Sequence, residues 1–508
     1  MGGVYDRMAP GPFHDYFPLV GPIDFLPKQS IDKIVSLEQS ILLIYLAACM
    51  LIGVIVSKRV FSSADEYWVG GRGIGVSVNS LAIMATLASG GSIVGVMGLG
   101  YSKGIPFALA LFSGAVVGFP LASVLVANPL RNFGKYTITD FLSFRYPHPV
   151  IQIGVPLIIL SSFTVYIVAQ LKAAGITSEA LLGLPYHQSV ILFTIVFIVY
   201  VSFGGMVAVT WTDMFQGGLM VIVVVGTGFY LLTTHEHLNN PLITATTQAP
   251  ELGLMKETPL SSMIGSFVIW AAAISVVPHI VMRVYSAKNS QAAKLSLNIA
   301  VIIYSILILS SLLIIVPVGK ILFPVLDDAD MVFLKIIESS FSPVMRGCAV
   351  AAIMAAVMST TDALLLACSS AVSHDLLGYV SPGLDNALKN RIRIYCTWLI
   401  GLTAMVFAFD PPPLITLFYS ASIGVLCAGL FIPTIAGIWW KKTNTMGGVS
   451  ALLVGVTTYL IVQFNPDAPP LSAILFALPA SLLGLLIGNR FGSNVTDDII
   501  ETVSKLHV

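Results

Sequence analysis

Apolar runs separated by short polar segments recur along the chain, near residues 38–57, 74–100, 106–128, 148–180, 188–206, 214–234, 260–282, 293–317, 343–373, 394–409, 413–437, 446–464 and 469–488. A bilayer core roughly 30 Å thick is crossed by a helix of about 20 apolar residues. The pattern therefore predicts an all-α polytopic membrane protein with thirteen spans and termini on opposite sides. Basic residues collect in the cytoplasmic loops of such proteins. With the N-terminus outside, sixteen of the 25 Lys and Arg fall in interior loops and eight in exterior ones, and the last, Lys172, lies within a span. This asymmetry predicts N-terminus out and C-terminus in.

Three spans are expected to be broken by small or polar residues at mid-depth: MATLASGGS (84–92), IWAAAISVVPH (269–279) and VMSTTDALL (357–365). Non-helical backbone in a bilayer is tolerated only where protein buries it or where it lines a cavity. Breaks in corresponding halves of a chain therefore mark a binding site. The second and seventh spans each contain one and stand five spans apart, as five-plus-five inverted repeats would place them. The expected organisation is an extracellular segment 1–37, a first helix 38–60, a first repeat 71–234, a second repeat 260–437, two further helices in 446–488 and a cytoplasmic tail 489–508.

Composition narrows the function class. The 508 residues are 56% hydrophobic and 10% charged with zero net charge, and the mean hydropathy is +0.91. Nothing here favours nucleic acid, and a small neutral or anionic solute is the better partner beside the lipid bilayer. The cysteines, Cys49, Cys348, Cys368, Cys396 and Cys427, show no pairing pattern and are expected as free thiols. Residues 1–36 are polar and Pro-rich without a short apolar core, so the first apolar run is expected to remain as a span.

Ser359, Thr360 and Asp362 stand inside an apolar helix, where an Asp near mid-bilayer costs about 2.5–3.5 kcal/mol. Ser and Thr can bond back to a carbonyl one turn earlier. Alternatively, these oxygens hold a hard cation together with carbonyls freed by a helix break, and 84–92 can supply the carbonyls. An intramembrane hydrolase is disfavoured, because no serine sits in a nucleophile elbow and His279 and His374 fall at expected helix ends. No repeated filter or charge ring suggests a channel.

The segments GGR (70–72), FGGMVAVTWTDMFQG (203–217), PHIVMR (278–283) and AAIMAAVMSTTDALLLACSSAVSHDL (351–376) stand in an order that resembles the sodium:solute symporters. The resemblance covers about residues 38–445. It implies the thirteen-helix, five-plus-five inverted-repeat transporter fold (LeuT-like), a multi-pass protein of the inner (plasma) membrane, and no enzyme activity. It places the principal sodium site on the carbonyls of Ala85, Ala88 and Ala356 and the hydroxyls of Ser359 and Thr360. Some members have a further ion site at positions matching Asp213 and Asp362, although others carry a hydroxyl where this chain has Asp362. The other reading of Asp213 is a carboxylate at the N-terminus of the sixth helix.

By the same resemblance Tyr166, Trp270 and Pro278 lie near the solute, and Gln170 stands one turn from Tyr166. Trp270 as a packing or interfacial aromatic is the plainer alternative. Ile274 replaces a tyrosine of the proline transporters, which shifts the expectation to a monocarboxylate or pantothenate. Sodium/proline or other amino-acid symport and proton-coupled uptake are the alternatives, ahead of a sugar or sialic acid. Lys172 snorkels if it lies near a helix end; otherwise, because the fourth and ninth helices are neighbours in this fold, it pairs with Asp362 or draws the solute's carboxylate. Oligomeric state stays open, and a monomer suffices for transport.

Overall fold

The computed structural model describes residues 36–60, 64–234, 240–254 and 258–507. Residues 1–35, most of the expected extracellular segment, lie outside the described residues. Among those described, the sole β-type pairing is an isolated bridge between Ile74 and Ala287. The helices run α1 (Leu37–Val60), α2 (Val76–Leu87), α3 (Gly91–Lys103), α4 (Ile105–Leu125), the short α5 (Ile138–Arg145), α6 (Pro149–Leu182), α7 (Tyr186–Ser202) and α8 (Gly204–Thr234). They continue with α9 (Leu260–Ala273), α10 (Pro278–Ser286), α11 (Ser290–Leu322), α12 (Pro343–Ser370), α13 (Asn386–Phe407), α14 (Ile415–Trp439), α15 (Thr445–Gln463), α16 (Ile474–Gly488) and α17 (Asp497–Lys505). Among the described residues eight stretches are long and apolar enough to cross a membrane, and α2 with α3, bent by 59°, make a ninth. Each apolar run of the sequence falls on these helices, with 74–100 and 260–282 each divided between two of them and 188–206 running from α7 into the start of α8.

Lipid tails are as apolar as leucine, so membrane helices associate through close packing rather than by escaping water. The packing centres on α12, which touches α1, α2, α6, α13 and the α7–α8 pair. All its residues from Ala349 onward are buried. Around this centre α14 packs on α6, α9 and α15, and α4 packs on α9.

Two of the three expected breaks are present. The first lies between α2 and α3. The second lies between α9 and α10, where Ser275 and Val276 fold back on Ala272 and Ala273 in tight turns and Pro278, which has no N–H, starts the next helix. The third is not a break: α12 is helical through 357–365. Its hydroxyls find carbonyls without disturbing the helix, as Thr361 does by donating back to Val357 O at 2.7 Å. A second correction concerns Asp213. Helices α7 and α8 meet at Gly205, whose φ of 57° and ψ of −176° suit only glycine. Asp213 therefore sits about two and a half turns inside α8 rather than at its start, beyond the reach of the helix-terminal charge.

One buried arginine fixes the C-terminal end of α14. Arg145 closes α5 with 1% of its surface exposed. It donates from Nε to Gly437 O at 3.0 Å, from Nη2 to Trp440 O and Lys441 O at 3.2 Å each, and to Thr443 Oγ1 at 2.8 Å. The guanidinium thus satisfies carbonyls that the end of α14 leaves free, at the negative end of the helix dipole. Lysine keeps the charge but cannot reproduce the planar fork. Arg145→Lys should therefore cost about 2–4 kcal/mol of stability, read as a lowered melting temperature of the detergent-purified protein.

Candidate functional site at the broken helices

The break between α2 and α3 releases backbone oxygens. In an unbroken helix the amides of Ser89 and Gly90 would donate to the carbonyls of Ala85 and Thr86. Here Ser89 N turns back to Leu87 O at 2.8 Å, and Gly90 N donates instead to Gln170 Oε1 of α6 at 3.0 Å. The freed carbonyls meet α12: Ser359 Oγ donates to Ala85 O at 2.9 Å and Thr360 Oγ1 to Thr86 O at 3.0 Å. Ser359 Oγ also lies 3.3 Å from Ala356 O. Ala85, Ala356, Ser359 and Thr360 thus gather at one contact of two helices, and Ala88 closes the last turn of α2 with its N–H on Met84 O at 2.7 Å. Hard carbonyl and hydroxyl oxygens about 3 Å apart suit a sodium ion, because each hydroxyl can turn a lone pair inward and its proton away.

A charge cluster stands behind this contact. Arg283 of α10 pairs with Asp213 Oδ2 of α8 and donates to Thr210 Oγ1. Thr86 Oγ1 donates to the same carboxylate oxygen at 3.2 Å. Asp213 is therefore held by a guanidinium of the chain itself. Asp362 is wholly buried, and neither of its oxygens has a hydrogen-bond partner among the described residues.

The pairing of Lys172 with Asp362 is corrected. Although α6 and α12 are neighbours, Lys172 Nζ lies 3.1 Å from Asp330 Oδ2 and 3.8 Å from Asp328 Oδ2, and it donates to Pro412 O at 3.3 Å. The reason is length. With 34 residues, α6 extends about 50 Å, well past the bilayer core. Lys172 lies about 10 Å beyond its midpoint, where its stem reaches the loops before α12 and α14. Burial raises the Asp330 carboxyl above its ordinary value, against the opposing pull of Lys172 and of the Ile415 N–H.

Aromatic rings surround the α2–α3 break. Tyr166 stacks on Tyr419 of α14 with centroids 4.7 Å apart, and its hydroxyl donates to Ser89 Oγ at 3.4 Å. Trp270 meets Tyr419 edge-on at 5.9 Å and donates from Nε1 to Ser420 Oγ at 3.2 Å. Gln170 spends Oε1 on the Gly90 amide, which leaves its buried Nε2 without a partner among the described residues. Two expected residues stand apart from this ring set. Ile274 lies against Gly118 of α4, and Pro278 opens α10 beside His279, whose ring packs on Phe163 at 5.3 Å. Sequence reasoning missed Tyr419, Ser420, Thr416, Tyr304, Ser89 and Ser92; Tyr304 OH reaches Ser92 Oγ at 3.3 Å and Thr416 Oγ1 reaches Gly91 O at 3.2 Å. The cluster TLFYSAS (416–422) was the available signal, a run of hydroxyls and rings at the start of an apolar helix. Neither His279 nor His374 serves Ser359, whose hydroxyl is bonded to carbonyls, while His374 Nε2 is held by Asp140 at 3.1 Å.

Comparison with known proteins shows which family and fold the chain shares. The model of the Sodium:solute symporter family matches residues 67–455. The chain is 29% identical over 444 residues to the sodium/pantothenate symporter of Haemophilus influenzae, covering 84% of this chain and 90% of that one. It is 27% identical over 451 residues to the sodium/pantothenate symporter of Escherichia coli, covering 87% and 93%. It is also 29% identical over 484 residues to the osmoregulated proline transporter OpuE of Bacillus subtilis, covering 90% and 94%. Among solved structures, a Na+-coupled sialic acid symporter superposes with a TM-score of 0.76 at 20% identity, covering 90% of this chain and 98% of that one. The nucleobase-cation-symport-1 family transporter Mhp1 gives 0.55 at 13% identity, covering 87% and 99%. These two share the LeuT-like fold with this chain. The chain belongs to the sodium:solute symporter family, whose members are transporters and not enzymes.

Proposed function

We propose that the protein carries a small organic carboxylate, pantothenate or a monocarboxylate, into the cell together with sodium by alternating access. The reading places thirteen spans in the inner (plasma) membrane, N-terminus out and C-terminus in. The observation that carries it is the meeting of Ser359 and Thr360 with the carbonyls freed between α2 and α3. The proposed sodium ligands are the carbonyls of Ala85, Ala88 and Ala356 and the hydroxyls of Ser359 and Thr360. Arg283 already supplies positive charge to Asp213, so the reading needs no second ion between Asp213 and Asp362.

The solute is proposed to sit among Tyr166, Trp270, Tyr419 and the α2–α3 break. The rings offer apolar faces, Gln170 Nε2 offers a buried donor, and the N-terminal end of α3 favours a negative group. A carboxylate with a short apolar body uses all three. The pantothenate relatives support the same solute class. Proline remains the runner-up because OpuE is equally similar, although Ile274 replaces the tyrosine expected for it.

Uptake into proteoliposomes should follow an imposed inward sodium gradient. Equal uptake with potassium or choline in place of sodium, at fixed pH and potential, would sink the sodium assignment. Ser359→Ala should raise the sodium concentration for half-maximal uptake about five- to tenfold, whereas Thr361→Ala, which removes only a back-bonded hydroxyl, should leave it unchanged. Equal sodium dependence in the two variants counts against Ser359 as a ligand. In sodium-containing buffer, pantothenate or short monocarboxylates should raise the melting temperature more than proline or sugars do, and a larger shift with a sugar reverses the solute assignment.

A further inference from the structure

The first turn of α14 is gripped from one side and covers the solute site on the other. Its leading amide, Ile415 N, donates to Asp330 Oδ2 at 3.1 Å, the same oxygen that Lys172 holds. Lys172 also donates to Pro412 O, in the DPPPL segment (410–414) that leads into this turn. One ion pair thus binds the chain entering α14 by a carbonyl and by an N–H. From the same end of α14, Thr416 bonds to Gly91 O and Tyr419 stacks on Tyr166. The contact leaves no free space: a Cβ on Gly91 would stand 2.3 Å from the Tyr419 ring, and one on Gly98 would stand 2.4 Å from Asp330 Oδ1.

Lys172 of this pair also forms part of a floor. Beyond it opens a cavity of about 750 Å³ lined by Tyr101, Lys103, Lys172, Glu251, Lys320 and Asp328, among others. The Lys172 side chain is 7% exposed at this cavity, whereas that of Asp330 is fully buried. Tyr166 stands six residues before Lys172 on α6, about 9 Å deeper. The order from the cavity inward is therefore the ion pair, the first turn of α14 with Thr416, then Tyr419 on Tyr166.

We propose that Lys172 and Asp330 are positioning residues of a gate between this cavity and the solute site, their ion pair holding the first turn of α14 so that Thr416 and Tyr419 close over the α2–α3 break. A buried ion pair is strongly disfavoured with one partner missing, so the pair has two sound arrangements. In one it is joined and the turn is seated. In the other both groups reach the water of the cavity, Lys172 by swinging its flexible stem, and the turn is free to lift. What passes the gate rests on the symport reading, and so does its assignment to the outer face.

The test places a single cysteine, Ser420→Cys, beside Trp270 in an otherwise cysteine-free protein. Its reaction with a membrane-impermeant methanethiosulfonate is timed in right-side-out vesicles. Lys172→Met and Asp330→Asn should each speed labelling at least about threefold, and the double variant should be no faster than the faster single one. Gly98→Ala, which displaces Asp330 but keeps both charges, should speed it as well. Unchanged rates in the three single variants overturn the proposal. So does an equal rise at native Cys427, buried in α14, carried as the lone cysteine in the same backgrounds, because that marks general loosening. The readout needs neither solute nor sodium, so it fails independently of the symport reading. Faster labelling from the opposite face alone supports the gate and overturns the outward placement of the N-terminus.

Discussion

A helix that stops inside a bilayer must find partners for the backbone groups it exposes, because no water is there to take them. The interruption between Leu87 and Gly91 meets that demand through three other parts of the chain. Gln170 of α6 takes the Gly90 amide, Ser359 and Thr360 of α12 take the Ala85 and Thr86 carbonyls, and Thr416 of α14 takes Gly91 O. The break thus holds three helices at one point. The candidate ion site is a by-product of this arrangement: the oxygens that satisfy one another between α2 and α12 are of the kind that a small cation binds.

Buried charge imposes the second constraint, and the chain answers it in distinct ways. Arg283 and Asp213 neutralise each other across α10 and α8, and Thr86 links them to the backbone of the candidate ion site. Lys172 and Asp330 do the same between α6 and the loop before α12. Arg145 has no carboxylate partner among the described residues and ends on the carbonyls closing α14. Removing one member of a buried ion pair costs more than the pair contributes, so such groups fix which elements move together. The first pair ties helices directly beside the contact of Ser359 and Thr360 with α2. The second ties loops at the mouth of a cavity, where water can receive both groups.

Family membership does not choose the solute, since pantothenate symporters and a proline transporter lie at similar identity to this chain. The choice rests on the groups around the break. Three aromatic rings and an amide donor left unpaired among the described residues offer little to a polyol, which needs many hydrogen bonds to replace those it gives up to enter a dry site. A single carboxylate needs few, and helix ends and amide donors provide them.

Much of the fold was legible in one dimension. Hydropathy is a local property, and every apolar run of the sequence falls on one helix or on two consecutive ones. The breaks at 84–92 and 269–279 were visible because small residues and Pro278 mark them locally, although Gly90 stays helical and the turn itself falls at Ala88. The same local reasoning read a break at 357–365, where the polar side chains instead bond outward from an intact helix. It also offered Asp213 a helix end as one of two readings, because the run between Gly204 and Asp213 offers no composition change to mark where α8 begins. The oxygens of the candidate ion site could be named from the family resemblance, yet what brings Ser359 to Ala85 is a contact between positions 274 residues apart. Lys172 shows the limit most clearly. Its cost in a membrane announced that a partner must exist, but the partner lies 158 residues away in a loop. Which carboxylate a lysine meets, and which tyrosine covers a glycine, depends on helix length, tilt and neighbour, and those are settled only when the helices pack.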